Sequence, residues 1–272
     1  MKKTIIALIA AAMVLPSCGG KKNTAGPEES GFTTVRKESY FKLAVPDDIA
    51  SGRQYYSTSK VDITVPSDSA SALSKTILAA AFPNDSVSEG FRSATERFLS
   101  EPVDFIQTSS EKISFIPDKP ENSVLLSKNI VIDTIRTNGI LTFHIVNQGY
   151  TGGAHGYYSA AYVNYDTTGN CVAETEKLFA DREGVRQLIL KQLAADNSCS
   201  VEELEENGVV FSVADVKVPE NFYPEDGSLV FYYNPYEISS WARGEVRVAI
   251  PAKSLAMYAS PTGKSFLQHI AR

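Results

Sequence analysis

The chain has 272 residues, with 26 Lys and Arg against 32 Asp and Glu, a net charge of −6. That acidic balance excludes unspecific nucleic-acid binding and suits attraction to a basic protein. It also serves solubility alone, the commoner use of surface charge.

Lys2 and Lys3 precede an apolar run, Thr4 to Leu15, too short to span a bilayer as a permanent helix. The run ends in Leu15-Pro16-Ser17-Cys18, which resembles a bacterial lipobox. That resemblance implies removal of residues 1–17 as a lipoprotein signal peptide and diacylglycerol on the Cys18 thiol. Loss of Lys2 and Lys3 leaves 24 cations against 32 anions, a net −8. Residues 18–38 are small and polar and read as a flexible tether. No second stretch is long and apolar enough for a transmembrane helix, so lipid on Cys18 is the expected membrane link. Gly19 and Gly20 are followed by lysines rather than acids, giving no acidic surface-export signal. The expected place is the cell envelope, on the periplasmic side of an outer membrane.

Residues 39–118 read as an N-terminal α+β subdomain. Ser39 to Val45 is a short strand, and Val61 to Val65 alternates apolar and polar with the period of a half-buried strand. Pro66 ends it. Ser67 or Asp68 can cap a helix through about Ala81, with Leu73, Ile77, Leu78 and Ala81 on one face. Ser86-Val87-Ser88-Glu89 has the spacing of a capping box for a second helix ending near Pro102.

Residues 119–272 read as a mainly β second subdomain, with the boundary near Pro117 to Glu121. Val124 to Arg136 and Ile140 to Val146 flank Asn138-Gly139, a hairpin dipeptide whose turn positions need φ > 0. After a Gly-rich loop, Tyr157 to Asp166 alternates as a strand, with Cys171 to Glu174 returning. Helical spacing marks Glu183 to Leu193, and Val201 to Glu206 suggests a short acidic helix. Strands are expected at Val209 to Val218, Ser228 to Tyr233 and Glu245 to Ile250, with weak helical character from Ser254 to Ile270. The class is α+β: antiparallel sheets with helices packed on one face, in two subdomains.

Two stretches resemble a known family. The first is Gly149-Tyr150-Thr151-Gly152-Gly153-Ala154-His155-Gly156, followed by an aromatic strand. The second is Gly227 to Ile238, containing Tyr232-Tyr233-Asn234-Pro235-Tyr236-Glu237, then Gly244 and Val246 to Pro251. In this order they look like the domain of unknown function 3298, the RsiV-like extracytoplasmic domain. The N-terminal half is similar, more faintly, to the companion domain that usually precedes it. The resemblance implies a cell-envelope binding module, because relatives include a lysozyme-binding anti-sigma factor and the non-catalytic region of a peptidoglycan deacetylase. The chain lacks the sigma-binding segment and the deacetylase domain of those relatives.

The Gly-rich loop lacks the spacing of a phosphate-binding loop. It reads as a strand connection whose histidine hydrogen-bonds the loop. His155 has no G-x-S-x-G elbow, no H-E-x-x-H and no C-x-x-C to serve, so neither catalysis nor a metal is expected of it. Pro235 implies an edge or turn, where Glu237 ties down nearby backbone. Candidate ligand-binding residues are Tyr150, Thr151, Gly152, Gly153, His155, Tyr157, Tyr236 and Glu237. An oxidising compartment allows Cys171 and Cys199 to pair, and they remain free thiols if their Cβ atoms do not meet. No cofactor is implied. The expected function is non-catalytic recognition of a lysozyme-like protein or peptidoglycan. The alternatives are a cell-wall-modifying enzyme using His155 or Glu237, and a structural or assembly lipoprotein.

Overall fold

The computed structural model describes residues 31–85, 90–117 and 122–271. Cys18 and the Ser86–Glu89 capping box lie outside the described residues. The elements are β1 (Phe32–Ala44), α1 (Asp47–Ala50), β2 (Gln54–Pro66), α2 (Ala72–Ala81), α3 (Gly90–Ser100), β3 (Ser109–Ile113), β4 (Ser123–Thr137), β5 (Ile140–Tyr150), β6 (Tyr157–Asp166), β7 (Cys171–Ala173), α4 (Thr175–Leu178), α5 (Arg182–Asp196), β8 (Phe222–Glu225), β9 (Ser228–Tyr233), β10 (Val246–Pro251), α6 (Ala252–Leu255) and α7 (Pro261–Ile270). The class is α+β, as the strand-rich order implied.

A seven-stranded sheet runs β3-β1-β2-β4-β5-β6-β7 and a three-stranded one runs β10-β9-β8. Neighbours are antiparallel except β2 and β4, which pair in parallel from Gln54↔Ser123 to Ile63↔Ile132. That pairing carries the large sheet across residues 118–121, where the sequence suggested a boundary, so the two halves share one layer.

Alternation along the strands sorts the side chains. Leu141, Phe143 and Ile145 of β5 join Val61, Ile63, Ile130 and Ile132 in a core beneath α2 and α3, with Ile77, Leu78 and Ala94. Full burial of such aliphatic side chains contributes about 1.5–3 kcal/mol each. The opposite face of β5 and β6 receives the small sheet, where Val146, Ala160, Tyr158 and Tyr162 meet Tyr223, Val230 and Tyr232. The outer face of that small sheet is covered by α5 and α7: Leu229, Phe231, Val248 and Ile250 pack with Val185, Ile189 and Phe266. The layers are therefore helix, sheet, sheet, helix.

Four expectations need correcting. The tether does not reach residue 38, because β1 begins at Phe32 and Thr33 to Lys37 pair with Val65 to Val61. Backbone pairing and Val35 packing outweigh a polar composition. Val209 to Val218 is not a strand: it holds a single 3₁₀ turn, Val213–Asp215. Its buried valines pack on the C-terminal core, and its carbonyls are satisfied by guanidinium groups instead of a ladder. Arg186 donates to Val213 and Val216 at 2.7 Å each, and Arg182 donates to Val218 at 3.1 Å. Val201 to Glu206 forms successive turns, not a helix. Lastly, Cys171 and Cys199 are both free thiols. Cys171 is exposed on the edge strand β7, whereas Cys199 follows α5 and packs on the C-terminal core.

Candidate functional site: an exposed aromatic platform

The Gly-rich loop joins β5 to β6, and close backbone approach explains its glycines more than dihedral need. A Cβ on Gly149 would fall 2.0 Å from the Ser127 carbonyl oxygen, and one on Gly156 would fall 2.7 Å from the Gly149 carbonyl oxygen. Gly152 adds a positive φ of 90°, and a Cβ there would meet the Phe105 ring at 2.8 Å. Phe105 in turn stacks on Tyr55, with ring centroids 5.4 Å apart. Buried Ser57 accepts the Val103 N–H at 2.8 Å and fixes that supporting segment.

At the far end of the loop, His155 is exposed on the surface. Its Nδ1 donates to the Gly156 carbonyl at 2.7 Å, which turns Nε2 outward as the acceptor. The Tyr236 hydroxyl lies 3.4 Å from that nitrogen. Trp241 stacks on the imidazole at 4.3 Å, its plane 13° from parallel. Tyr236 and Trp241 are themselves stacked at 5.8 Å. The three rings form a platform, with Tyr236 57% exposed.

The turn that presents Tyr236 is unusual. Tyr236 sits at φ 70°, in the left-handed region that disfavours a bulky side chain. Glu237 holds it there, since its carboxylate accepts the Asn234 N–H at 2.7 Å. Burial pushes the Glu237 carboxyl above the usual carboxylate range, and the Asn234 N–H opposes that push. The bond to Asn234 closes the turn that presents Tyr236.

Asn234 does more than begin the turn. Its amide donates to the Ala160 carbonyl at 3.0 Å and accepts the Ala160 N–H at 2.7 Å. Asn221 does the same beside it, donating to Ala160 at 2.8 Å and accepting from the Tyr162 N–H at 2.8 Å. Carboxamides thus imitate a neighbouring strand along the part of β6 that β7 leaves unpaired. Asn164 completes the join, linking Thr142 to the Phe222 carbonyl. A cavity of ≈ 620 Å³ runs past these caps, between β6, β7 and α2.

Of the other sequence candidates, Tyr150 packs against the cluster of Phe41, Tyr55 and Leu126 rather than the platform. Thr151 and Gly153 are exposed on the loop. Tyr157 faces the helix-covered side of the sheet and lines a separate cavity of ≈ 520 Å³. The structure therefore joins His155 to Tyr236 and leaves Tyr157 apart. Neither His155 nor Glu237 lines either cavity. Trp241 was the residue that sequence reasoning left out of the site. Its signal was its singularity, since it is the only tryptophan in the chain. No cluster of three or more metal-ligating side chains occurs among the described residues.

Behind the platform, a second row of rings joins the sheets. His144 stacks on Tyr162 at 4.7 Å, and Tyr162 stacks on Tyr223 at 4.3 Å. Arg247 lies over Tyr223 and pairs with Glu225 at 2.9 Å. Burial lowers the pKa of His144 and Asp133 opposes that shift; its Nε2 is buried without a partner among the described residues.

Against known proteins, a family model described as "Protein of unknown function (DUF3298)" matches residues 176–253. Residues 176–253 form a DUF3298 domain. This span holds Tyr236, Glu237 and Trp241 but starts after the Gly-rich loop, so the loop lies outside the matched segment. A crystal structure of a DUF3298 family member from Bacteroides fragilis NCTC 9343 aligns with 88% of this chain and 96% of that one, at 20% identity and a TM-score of 0.62. A DUF3298 family protein from Pseudomonas aeruginosa PAO1 aligns with 85% and 94%, at 13% identity and a TM-score of 0.54. At such identities the likeness shows a shared fold alone. No curated protein matches the sequence.

Proposed function

We propose that this chain is a lipid-anchored, extracytoplasmic, non-catalytic binding module for a cell-envelope ligand, either a lysozyme-like protein or peptidoglycan. The observation that carries this reading is the stack of exposed His155 and Tyr236 with half-buried Trp241. Rigid aromatic faces with polar edges, held ready on a folded support, supply much of the energy in protein recognition. The same flat faces suit the apolar faces of sugar rings.

Three features support the reading. Positive φ at Tyr236 stores backbone strain at a residue whose ring is mainly in water, a pattern that clusters at ligand-binding positions. His155 has a carbonyl and a phenol at its two nitrogens, an arrangement that orients the ring and sets no carboxylate, serine or thiol against it among the described residues. A net charge of −8 beyond Ser17 favours encounter with a basic protein such as lysozyme, an effect that salt weakens. Anchoring rests on the Cys18 lipobox resemblance, and the N-terminal half keeps its faint likeness to the companion domain.

Calorimetry with lysozyme and with soluble muropeptides tests this function. Saturable binding to one of them, weakened about tenfold or more by Trp241→Ala, is expected. Because Trp241 is the sole tryptophan of the chain, its fluorescence reports muropeptide binding optically. Absence of binding to both ligands would refute the proposal.

A further inference from the structure

On the helix-covered face of the large sheet, α2 and α3 end before the strands do and leave part of the sheet bare. A cavity of ≈ 520 Å³ opens there, within the ~300–1,000 Å³ range of small-molecule sites. Phe82, Pro83, Phe98 and Ile130 supply apolar walls, and Lys128, Tyr157 and Ser159 stand on the strand floor.

The polar groups around it are unevenly matched. Arg97 is paired with Asp85 at 2.8 Å. Asn147 donates its amide to the Ala81 carbonyl at 3.3 Å. In contrast, the Lys128 ammonium and the hydroxyls of Tyr157 and Ser159 have no hydrogen-bond acceptor among the described residues. Lys128 is half-buried, with Nζ 4.5 Å from the Phe98 ring centroid, a contact that stabilises the cation without neutralising it. Glu101 on the rim favours the charge but forms no ion pair with it, while burial lowers the lysine pKa. Donors without acceptors, one of them charged, converge on an apolar-walled space.

We propose that this cavity is a second binding site, separate from the aromatic platform, for a small molecule that joins a carboxylate to an apolar or aromatic body. Two carboxylate oxygens provide enough lone pairs for the ammonium and both hydroxyls. The body would lie against Phe82, Phe98 and Ile130. Charge-assisted bonds of this kind gain strength where solvent is partly excluded.

The probe is 3-phenylpropionate, titrated into the full chain and followed by backbone amide NMR, with 3-phenylpropionamide as the uncharged control. The acid should give saturable shifts centred on Lys128, Tyr157 and Ser159, and the amide should bind about tenfold more weakly. Lys128→Met should abolish the preference for the acid, and Lys128→Arg should retain it. If Lys128→Met proves unfolded by thermal melt, Tyr157→Phe and Ser159→Ala should each weaken the acid severalfold. The site is ruled out if the acid gives no saturable shift, shifts a different region, or binds no better than the amide. It is equally ruled out if folded Lys128→Met, or in its place both hydroxyl variants, bind the acid unchanged. Platform binding is read independently from Trp241 fluorescence, so the two proposals can fail separately.

Discussion

Trp241 lies flat on His155, with ring centroids 4.3 Å apart, and so joins the β5–β6 loop to the segment between β9 and β10. Neither segment completes the platform alone. The imidazole is fixed by its own loop through the Gly156 carbonyl, whereas the two larger rings arrive from the DUF3298 domain. A platform assembled from two sheets depends on the join between those sheets.

Tyr236 at φ 70° separates function from stability. A left-handed conformation costs an L-residue about 1–2 kcal/mol, and glycine escapes that cost. Tyr236→Gly should therefore leave unfolding free energy within about 1 kcal/mol of the parent while weakening ligand binding about tenfold. Urea melts paired with calorimetry read both quantities. Parallel losses would mark the ring as a structural part instead.

Two glycines of one loop should behave oppositely. Gly149→Ala drives a methyl to within 2.0 Å of the Ser127 carbonyl oxygen, forcing β4 and β5 apart. A loss of about 2 kcal/mol or more is expected, at the upper end for overpacked sites. For Gly153 the nearest contact is the His155 carbonyl oxygen at 4.0 Å, so Gly153→Ala should change stability by less than about 0.5 kcal/mol. Denaturant midpoints at constant m-value decide the comparison.

Asn234→Ala removes both bonds to Ala160, leaving its N–H without the carboxamide acceptor while its C=O keeps the Asn221 amide. Stability should fall by about 1–3 kcal/mol. Asn234→Asp keeps an acceptor for the N–H but sets a carboxylate against the Ala160 carbonyl, so it should not restore the parent value. Equilibrium unfolding of the pair tests whether donor and acceptor are both needed.

His144 imposes a pH dependence with a definite sign. Burial holds its folded-state pKa below the ordinary value, against the opposing pull of Asp133. As pH falls below about 6.5, the unfolded chain takes up the proton first. Its contribution is complete above that value and declines as pH drops toward the lowered folded-state value. His144→Phe keeps a ring on Tyr162 and removes the titration. The difference in unfolding free energy between parent and variant should therefore shift in the variant's favour on acidification; a constant difference from pH 8 to about 5 would contradict the assignment.

Much of the strand order was legible because hydrophobic alternation and the Asn138-Gly139 dipeptide act locally. Alternation from Tyr157 to Asp166 puts Tyr158 and Tyr162 on one face of the strand and Tyr165 on the other, and the two faces meet different cores. The buried valines between Val209 and Val218 misled because burial alone produces a strand-like run; their carbonyl partners are guanidinium groups of Arg182 and Arg186, which no local pattern announces. The start of β1 was hidden for a similar reason: Phe32 to Lys37 owe their order to β2, some thirty residues away. At the platform, both motif segments were readable, but the stack of His155 on Trp241 arises from tertiary packing. Lys128 carried no sequence signal at all, since its setting depends on where two helices stop.

The carboxamides of Asn221 and Asn234 bind the sheets by side chains where a continuous ladder would use backbone. Such a seam can part without unravelling either sheet, so it defines a line of local opening. Ala160 and Tyr162 would then exchange their amide hydrogens earlier than the centre of β5. The segment carrying Tyr236 and Trp241 would lift from His155 in the same event. Capture of ligand across that line would close it, making hydrogen exchange at two β6 amides a remote gauge of occupancy on the platform.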